Sequence, residues 1–183
     1  MLDCITHPLK FPSYSSVKHY EGKGNWTVEK YYKLPYRFFY RHKIRMIERM
    51  LRGRKYKTIV DFGCGPGLFK DEWLKYGKNV HLVDTLEDFR GHKADLTVCS
   101  SVMEFVNLDH TFMKLAEHTN RNGDIIVASP MATELSEFYF NLIGDRTKRN
   151  THQDILSAMS KHFDIRNYKH WMDLYFCVMG KKR

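Results

Sequence analysis

The chain has 183 residues, 43% of them hydrophobic, and its 30 Lys and Arg against 21 Asp and Glu give a formal net charge of +9. That length suits one domain over residues 1–183 with a sizeable core, which excludes a disordered or fibrous chain. No apolar run approaches the roughly 20 residues of a membrane span and residues 1–18 lack the apolar core of a signal peptide, so a cytoplasmic protein is expected.

Residues 1–17 carry Pro8, Pro12 and three serines and read as a draped or poorly ordered arm. From Lys18 to Lys57 there are 13 Lys and Arg against 3 Glu, while the rest of the chain has 17 against 18. The whole net charge therefore lies ahead of residue 58, in an N-terminal arm and cap over residues 1–57. Nine aromatics share the basic block. Pro35 opens a helix that runs to about Arg52 and is closed by Gly53. Along it Tyr36, Tyr40, Ile44, Ile47 and Leu51 form one stripe at three- and four-residue spacing, to be buried. Arg37, Arg41, Arg45 and Arg49 form a second, cationic ridge. Like charges at this spacing repel by a few tenths of a kcal/mol per pair, and only Glu48 offsets them. Such a ridge is either a solvated face with phenols packed beneath or a surface that meets an anion.

Thr58 begins a β-branched strand that runs into Gly63, Gly65 and Gly67 and then into an apolar helix over Leu68–Tyr76, stopped by Gly77. Glycines at alternate positions let a ligand touch the main chain, and the helix start turns free N–H groups toward it. The spacing is G-x-G-x-G, unlike the G-x-G-x-x-G of a dinucleotide cradle, and Asp61 ahead of it would repel a pyrophosphate while suiting a cationic amino group. A plain glycine turn in an α/β domain is the bland alternative. His81-Leu-Val-Asp84 is a second strand ending in an acid. Ligands bind at the carboxyl ends of such strands, so Asp84 should lie beside the glycine loop and accept ribose hydroxyls. Ala94 opens a third run that ends at Ser100 and Ser101. Leu108–His118 is a helix, Asn122-Gly123 a turn into the strand Asp124–Ser129, and residues 132–143 a further helix. Gly144 to Asn150 is a charged loop. Thr151 and Asp154 form a capping box for a helix over His152–His162. Phe163–His170 and Asp173–Gly180 alternate as an antiparallel hairpin, and Lys181 to Arg183 is a solvated tail. Cys4, Cys64, Cys99 and Cys177 are far apart, without a C-x-x-C pair or histidines at zinc spacing, so reduced cysteines and no metal are expected.

Val60-Asp-Phe-Gly-Cys-Gly-Pro-Gly67 resembles motif I of the class I S-adenosylmethionine-dependent methyltransferases. The segment ending at Asp84 is similar to motif II, Ala94 to Val106 to the fourth motif, and Arg121 to Pro130 to the fifth strand. The resemblance covers about residues 58–130. It implies an α/β, Rossmann-like doubly wound fold over 58–183, mostly parallel, with an antiparallel C-terminal hairpin and a helical basic N-terminal cap over the cofactor pocket. It implies S-adenosylmethionine as cofactor, held by Asp61, Gly63, Cys64, Gly65, Gly67, Asp84, Ser100 and Ser101. Only ten residues separate Asp84 from Asp95, where relatives fit a helix, a third strand and an acidic motif facing adenine. The third strand is therefore expected to be missing or vestigial, with Asp88 and Phe89 as substitutes for the adenine contact.

Ser100-Ser101 stands where base-nitrogen methyltransferases of the family carry Asp/Asn-Pro-Pro-aromatic, which argues against adenine and cytosine amino groups. A small, lipid-like or phosphorylated acceptor comes first, with contact to an anionic membrane surface allowed. RNA is the alternative acceptor, because the basic aromatic block offers phosphate contacts and stacking surfaces. A non-catalytic cofactor- or nucleic-acid-binding module is the alternative of another class. His42, His152, His170 and Glu104 are the candidate proton acceptors, and none is singled out.

Overall fold

The computed structural model describes residue 32 and residues 36–89, 91–142 and 150–183. The arm over 1–17, the helix start at Pro35 and residues 144–149 of the charged loop lie outside the described residues. Helix α1 spans Tyr36–Leu51, and Gly53 at φ 76 ends it in the left-handed region. Its expected stripe is buried at Tyr40, Ile44, Ile47 and Leu51, with Met46 and Met50 beside it.

Strand β1 (Tyr56–Phe62) leads through the glycine loop to α2 (Lys70–Leu74), β2 (Gly77–Val83) and a 3-10 turn at Leu86–Phe89. Strand β3 (Ala94–Ser100) is followed by a second 3-10 turn at Met103–Phe105 and by α3 (Leu108–His118), where Asn107 caps the first turn by accepting the His110 N–H. Then come β4 (Thr119–Pro130), α4 (Glu134–Leu142), α5 (His152–Ser160), β5 (Phe163–Trp171) and β6 (Tyr175–Lys182). The sheet order is β2-β1-β3-β4-β6-β5. Strand β6 runs antiparallel to both neighbours, and the other pairs are parallel. This is the expected doubly wound plan, and among the described residues no strand lies between β2 and β3, so β2 is an edge.

Alternate residues of a strand face opposite sides of a sheet, and both sides are covered here. Ile59, Leu96, Val98 and Ile126 pack with Ile44, Ile47, Leu51 and Trp73 from α1 and α2. Val60, Phe62, Ile125 and Val127 pack with Phe112, Leu115, Ile155 and Met159 from α3 and α5. The carboxyl ends of β1 and β3 consequently open between the two layers.

Several local expectations differ. The helix predicted over Leu68–Tyr76 is only five residues, since Gly67 at φ 69 keeps the chain in turns as far as Phe69; Gly77 opens β2 instead of ending a helix. Asn122-Gly123 is not a free turn. Strand β4 runs through it as a bulge, with Asn122 at φ 63 and a register shift opposite Ala94 and Leu96. The terminal tail is tied down, because Lys182 donates to the Thr119 carbonyl and Arg183 to Asp164, each at 2.8 Å. The Thr151–Asp154 capping box forms in both directions. Met172 and Asp173, at φ 48 and 52, supply the successive left-handed residues that match a hairpin's twist.

Asn150 fastens the second 3-10 turn to the start of α5. Its Nδ2 donates to the Met103 and Val106 carbonyls at 2.9 and 2.8 Å, and its N–H to the Glu104 carbonyl at 2.9 Å. Asn150→Ala removes both side-chain bonds, so urea unfolding should show a loss of about 1–3 kcal/mol at unchanged m-value.

Candidate active site

The glycine loop leaves β1 with Gly63, Gly65 and Gly67 at φ 70, 51 and 69. Gly63 has the strictest requirement, since a Cβ there would lie 2.5 Å from Val102, just beyond β3. Asp84 follows β2, is exposed, and accepts the Gly65 N–H at 3.1 Å. The acid at the end of the second strand thus stands beside the loop, as its spacing predicts. Cys64 is half-buried between them. Desolvation first, then Asp61 and Asp84, pushes its thiol up to about 12, so it stays protonated.

Asp61 points inward. It is 2% exposed and accepts the Trp73 Nε1–H at 2.9 Å. Burial pushes its carboxyl up to about 7, against the opposing pull of Trp73 and of Lys43. Lys43 was missed at the level of sequence. It reaches down from α1, is itself 2% exposed, and donates from Nζ to Ser101 Oγ at 2.5 Å. Nζ also lies 4.9 Å from the Tyr40 ring centre and 5.9 Å from that of Tyr175. Desolvation lowers its ammonium to about 8, while Glu104, Asp61 and Cys177 act in the other direction. Glu104, buried in the second 3-10 turn, accepts the Ser129 hydroxyl from the end of β4. A cation from the cap is therefore enclosed by groups from the ends of β1, β3 and β6 and from the 3-10 turn.

Ser100 and Ser101 differ in role. Ser100 Oγ is buried and has no hydrogen-bond partner within the protein, leaving a polar atom for a ligand. Ser101 is half-exposed, at φ 58, and its N–H is held by the Ala128 carbonyl at 2.8 Å. Phe89 is buried against Phe62 and His118, and Asp88 accepts hydrogen bonds from Thr85, so Phe89 offers no adenine-stacking face. The three candidate histidines each have a partner within the protein. His42 stacks on Trp171 at 4.1 Å, His152 accepts the Ala132 N–H at 3.3 Å, and His170 lies 3.3 Å from Asp173 in the hairpin turn. Cys64, Cys99 and Cys177 are free thiols, and no cluster of metal-ligating side chains occurs among the described residues.

The ridge predicted along α1 is half-buried at Arg37, Arg41 and Arg45 and exposed at Arg49. The Nε atoms of Arg37 and Arg41 are buried without a hydrogen-bond partner. Desolvation, then Arg37 and Arg45, lowers the Arg41 guanidinium from its ordinary value. Apolar side chains are exposed on the same helix and on α4 and the hairpin turn: Phe38 at 55%, Phe138 at 67% and Met172 at 62%.

No family model matches the sequence, and no curated protein matches it in sequence. Solved structures resemble it in fold. The N-methyltransferase NodS from Bradyrhizobium japonicum, in complex with S-adenosyl-L-homocysteine, matches at a TM-score of 0.64 and 10% identity, over 92% of this chain and 97% of that one. Geranyl diphosphate C-methyltransferase from Streptomyces coelicolor matches at 0.61 and 10% identity, over 92% and 84%. An O-methyltransferase family protein from Burkholderia thailandensis matches at 0.58 and 11% identity, over 78% and 56%. The chain thus has the Rossmann-like fold of the class I S-adenosylmethionine-dependent methyltransferases.

The buried carboxyl gives a pH signature. Native Asp61 keeps its proton up to about 7, whereas an unperturbed carboxyl loses it near 3.8. Between those values the native state binds more protons than the unfolded one, so this group makes stability fall as pH rises through the window. Asp61→Asn cannot titrate and retains an acceptor for Trp73. Denaturant unfolding should show the wild type losing stability relative to Asp61→Asn from about pH 4 to 7; a constant difference would contradict the assignment.

Proposed function

We propose that the protein is an S-adenosylmethionine-dependent methyltransferase acting on a small, lipid-like or phosphorylated acceptor. The observation that carries this reading is the pairing of Gly65 N–H with the exposed Asp84 carboxylate, at the strand ends of this fold. The residues fit the cofactor in kind. The main chain of Gly63, Cys64, Gly65 and Gly67 offers close approach, Asp84 has oxygens to accept ribose hydroxyls, and Ser100 Oγ is a buried group in need of a partner. Asp61 is turned inward to Trp73 and acts on the site from behind the loop, and the half-exposed Ser101 is the member of the Lys43 cluster that reaches the surface.

When bound, the cofactor supplies a methyl group already activated on a sulfonium. The chain then has to hold donor and acceptor in line, about 3–3.5 Å apart, and exclude water. Helix α1 serves that exclusion, with Tyr40 and Lys43 buried over the strand ends.

The cap and its surroundings bear on the acceptor class. Arg37, Arg41, Arg45 and the exposed Phe38 lie on the cap helix, and Phe138 of α4 and Met172 of the hairpin turn add exposed apolar groups outside it. Stacking along a run of bases needs several free aromatic faces in the basic block, yet Phe39 packs on Tyr139 at 4.3 Å and Tyr40 is buried, and the exposed Phe38 already leans on Trp171 at 5.9 Å. An amphiphilic anion satisfies these surfaces better than single-stranded RNA. The geranyl diphosphate C-methyltransferase from Streptomyces coelicolor, solved with Mg2+, geranyl-S-thiolodiphosphate and S-adenosyl-L-homocysteine, holds an amphiphilic anion on a similar fold.

Calorimetry with S-adenosylhomocysteine tests the cofactor. Asp84→Ala should weaken binding by about 1–3 kcal/mol, and Gly65→Val should abolish it in a folded protein, because a branched residue at positive φ is strained and fills the cradle. Normal binding by folded Gly65→Val would put the ligand elsewhere. For the acceptor, replacing Arg41, Arg45 and Arg49 by Gln should lower turnover at unchanged cofactor affinity, and raising salt from roughly 0.05 to 0.2 M should reproduce that loss. Flotation with anionic liposomes in preference to a gel shift of RNA is the expected result; the reverse would favour RNA.

A further inference from the structure

Lys43 occupies a position that helix periodicity assigns to the core. Together with Met46, Ile47 and Met50 it follows the spacing of one face, and all four side chains are buried. An aliphatic residue would fill that place without the cost of desolvating an ammonium. Its surroundings are built to hold a proton. Tyr40 from the same helix and Tyr175 from β6 present their rings, Ser101 meets Nζ, and the charges facing it are Glu104 from the 3-10 turn and Asp61 from β1, with the Cys177 thiol of β6 beyond.

Ser101 is the member of this cluster that can meet an acceptor. It is half-exposed, whereas Lys43, Asp61 and Glu104 are buried. As a non-glycine residue at φ 58 it adopts a costly conformation, which is held by its bond to Ala128 and turns its hydroxyl to Lys43. The next residue, Val102, seats against Gly63, so the serine adjoins the glycine loop.

Resting on the methyltransferase reading above, we propose that Ser101 and Lys43 form a proton-accepting pair for methyl transfer to an acceptor bearing an ionisable O–H or N–H group. Ser101 is the catalytic residue that touches the acceptor, and Lys43 is the positioning residue that takes the proton through it. The acceptor atom forms its bond to the methyl carbon while the carbon–sulfur bond breaks and leaves its electron pair on sulfur. The acceptor's proton passes to Ser101 Oγ, and the serine's own proton passes to the neutral Lys43 amine. The resulting ammonium is held by Glu104 and Asp61 until it releases its proton to water after the product leaves. An amine lowered to about 8 by burial reaches its neutral form near working pH.

One measurement needs no acceptor. In protein labelled with 13C at lysine Cε, the signal missing from Lys43→Arg should titrate near 8 in the wild type, with and without S-adenosylhomocysteine. A midpoint of about 10 or above, the range of an ordinary lysine, would overturn the pair. The second measurement uses methyl-labelled donor and the extract pool that takes up label. Lys43→Met and Ser101→Ala should each lower turnover by about a hundredfold or more and remove the rise of rate through this pH range. The double variant should be no worse than either single one. Lys43→Arg separates the roles, since a guanidinium restores the charge but cannot release its proton. Recovery of turnover in Lys43→Arg would make Lys43 a counter-ion only and overturn the proposal. If Lys43→Arg fails to fold, Ser101→Ala at full rate would overturn it equally. Failure of the wild type to bind S-adenosylhomocysteine would instead strike the methyltransferase reading, and the lysine titration would still decide whether the pair is poised to accept a proton.

Discussion

A carboxyl group buried at the end of a parallel strand needs polar partners, and Asp61 sets that constraint for the whole strand-end region. Trp73 reaches it from α2 and Lys43 lies near it from α1, so the elements on either side of the glycine loop are linked to one buried group. Burying charged groups near one another is weak evidence for stability by itself, because desolvation offsets the attraction. Its consequence here is geometric. The cap helix is registered against β1, β3 and the 3-10 turn through Lys43 and Ser101, while the apolar stripe of α1 supplies the area that holds it there.

The segment between β2 and β3 contracts to a 3-10 turn, and the sheet loses an edge strand without losing its ligand-facing end. Ligands of an open α/β sheet bind outside the carboxyl ends of the strands where the strand order reverses, which is between β1 and β3 here. An edge strand contributes to the flank of such a crevice. The contraction therefore reaches the flank beyond β2, where Phe89 is drawn into the core, and leaves Asp84 beside Gly65.

Much of this was legible because it is local. Glycines at fixed offsets, an acid at a strand end, the Thr151–Asp154 box and the Tyr40–Leu51 stripe each follow from spacing along the chain. What spacing does not encode is which polar residue turns inward. Lys43 lies in a basic block whose visible pattern is the arginine ridge, and a lysine on an apolar face reads as a side chain that snorkels to solvent. Its enclosure depends on Ser101, Glu104 and Tyr175, which are 58 to 132 positions away. The short α2 and the bulge in β4 were obscured for a related reason: Gly67 and Asn122 take left-handed conformations that interrupt patterns otherwise reading as longer helix and separate turn.

Methyl transfer itself is the central claim. Wild type and Gly65→Val should be incubated with methyl-labelled S-adenosylmethionine and separate metabolite, lipid, RNA and protein pools. The account predicts label from the wild type in the lipid or phosphorylated-metabolite pool, and none from the glycine variant. Label in no pool, from a wild-type protein that binds the cofactor, would contradict it.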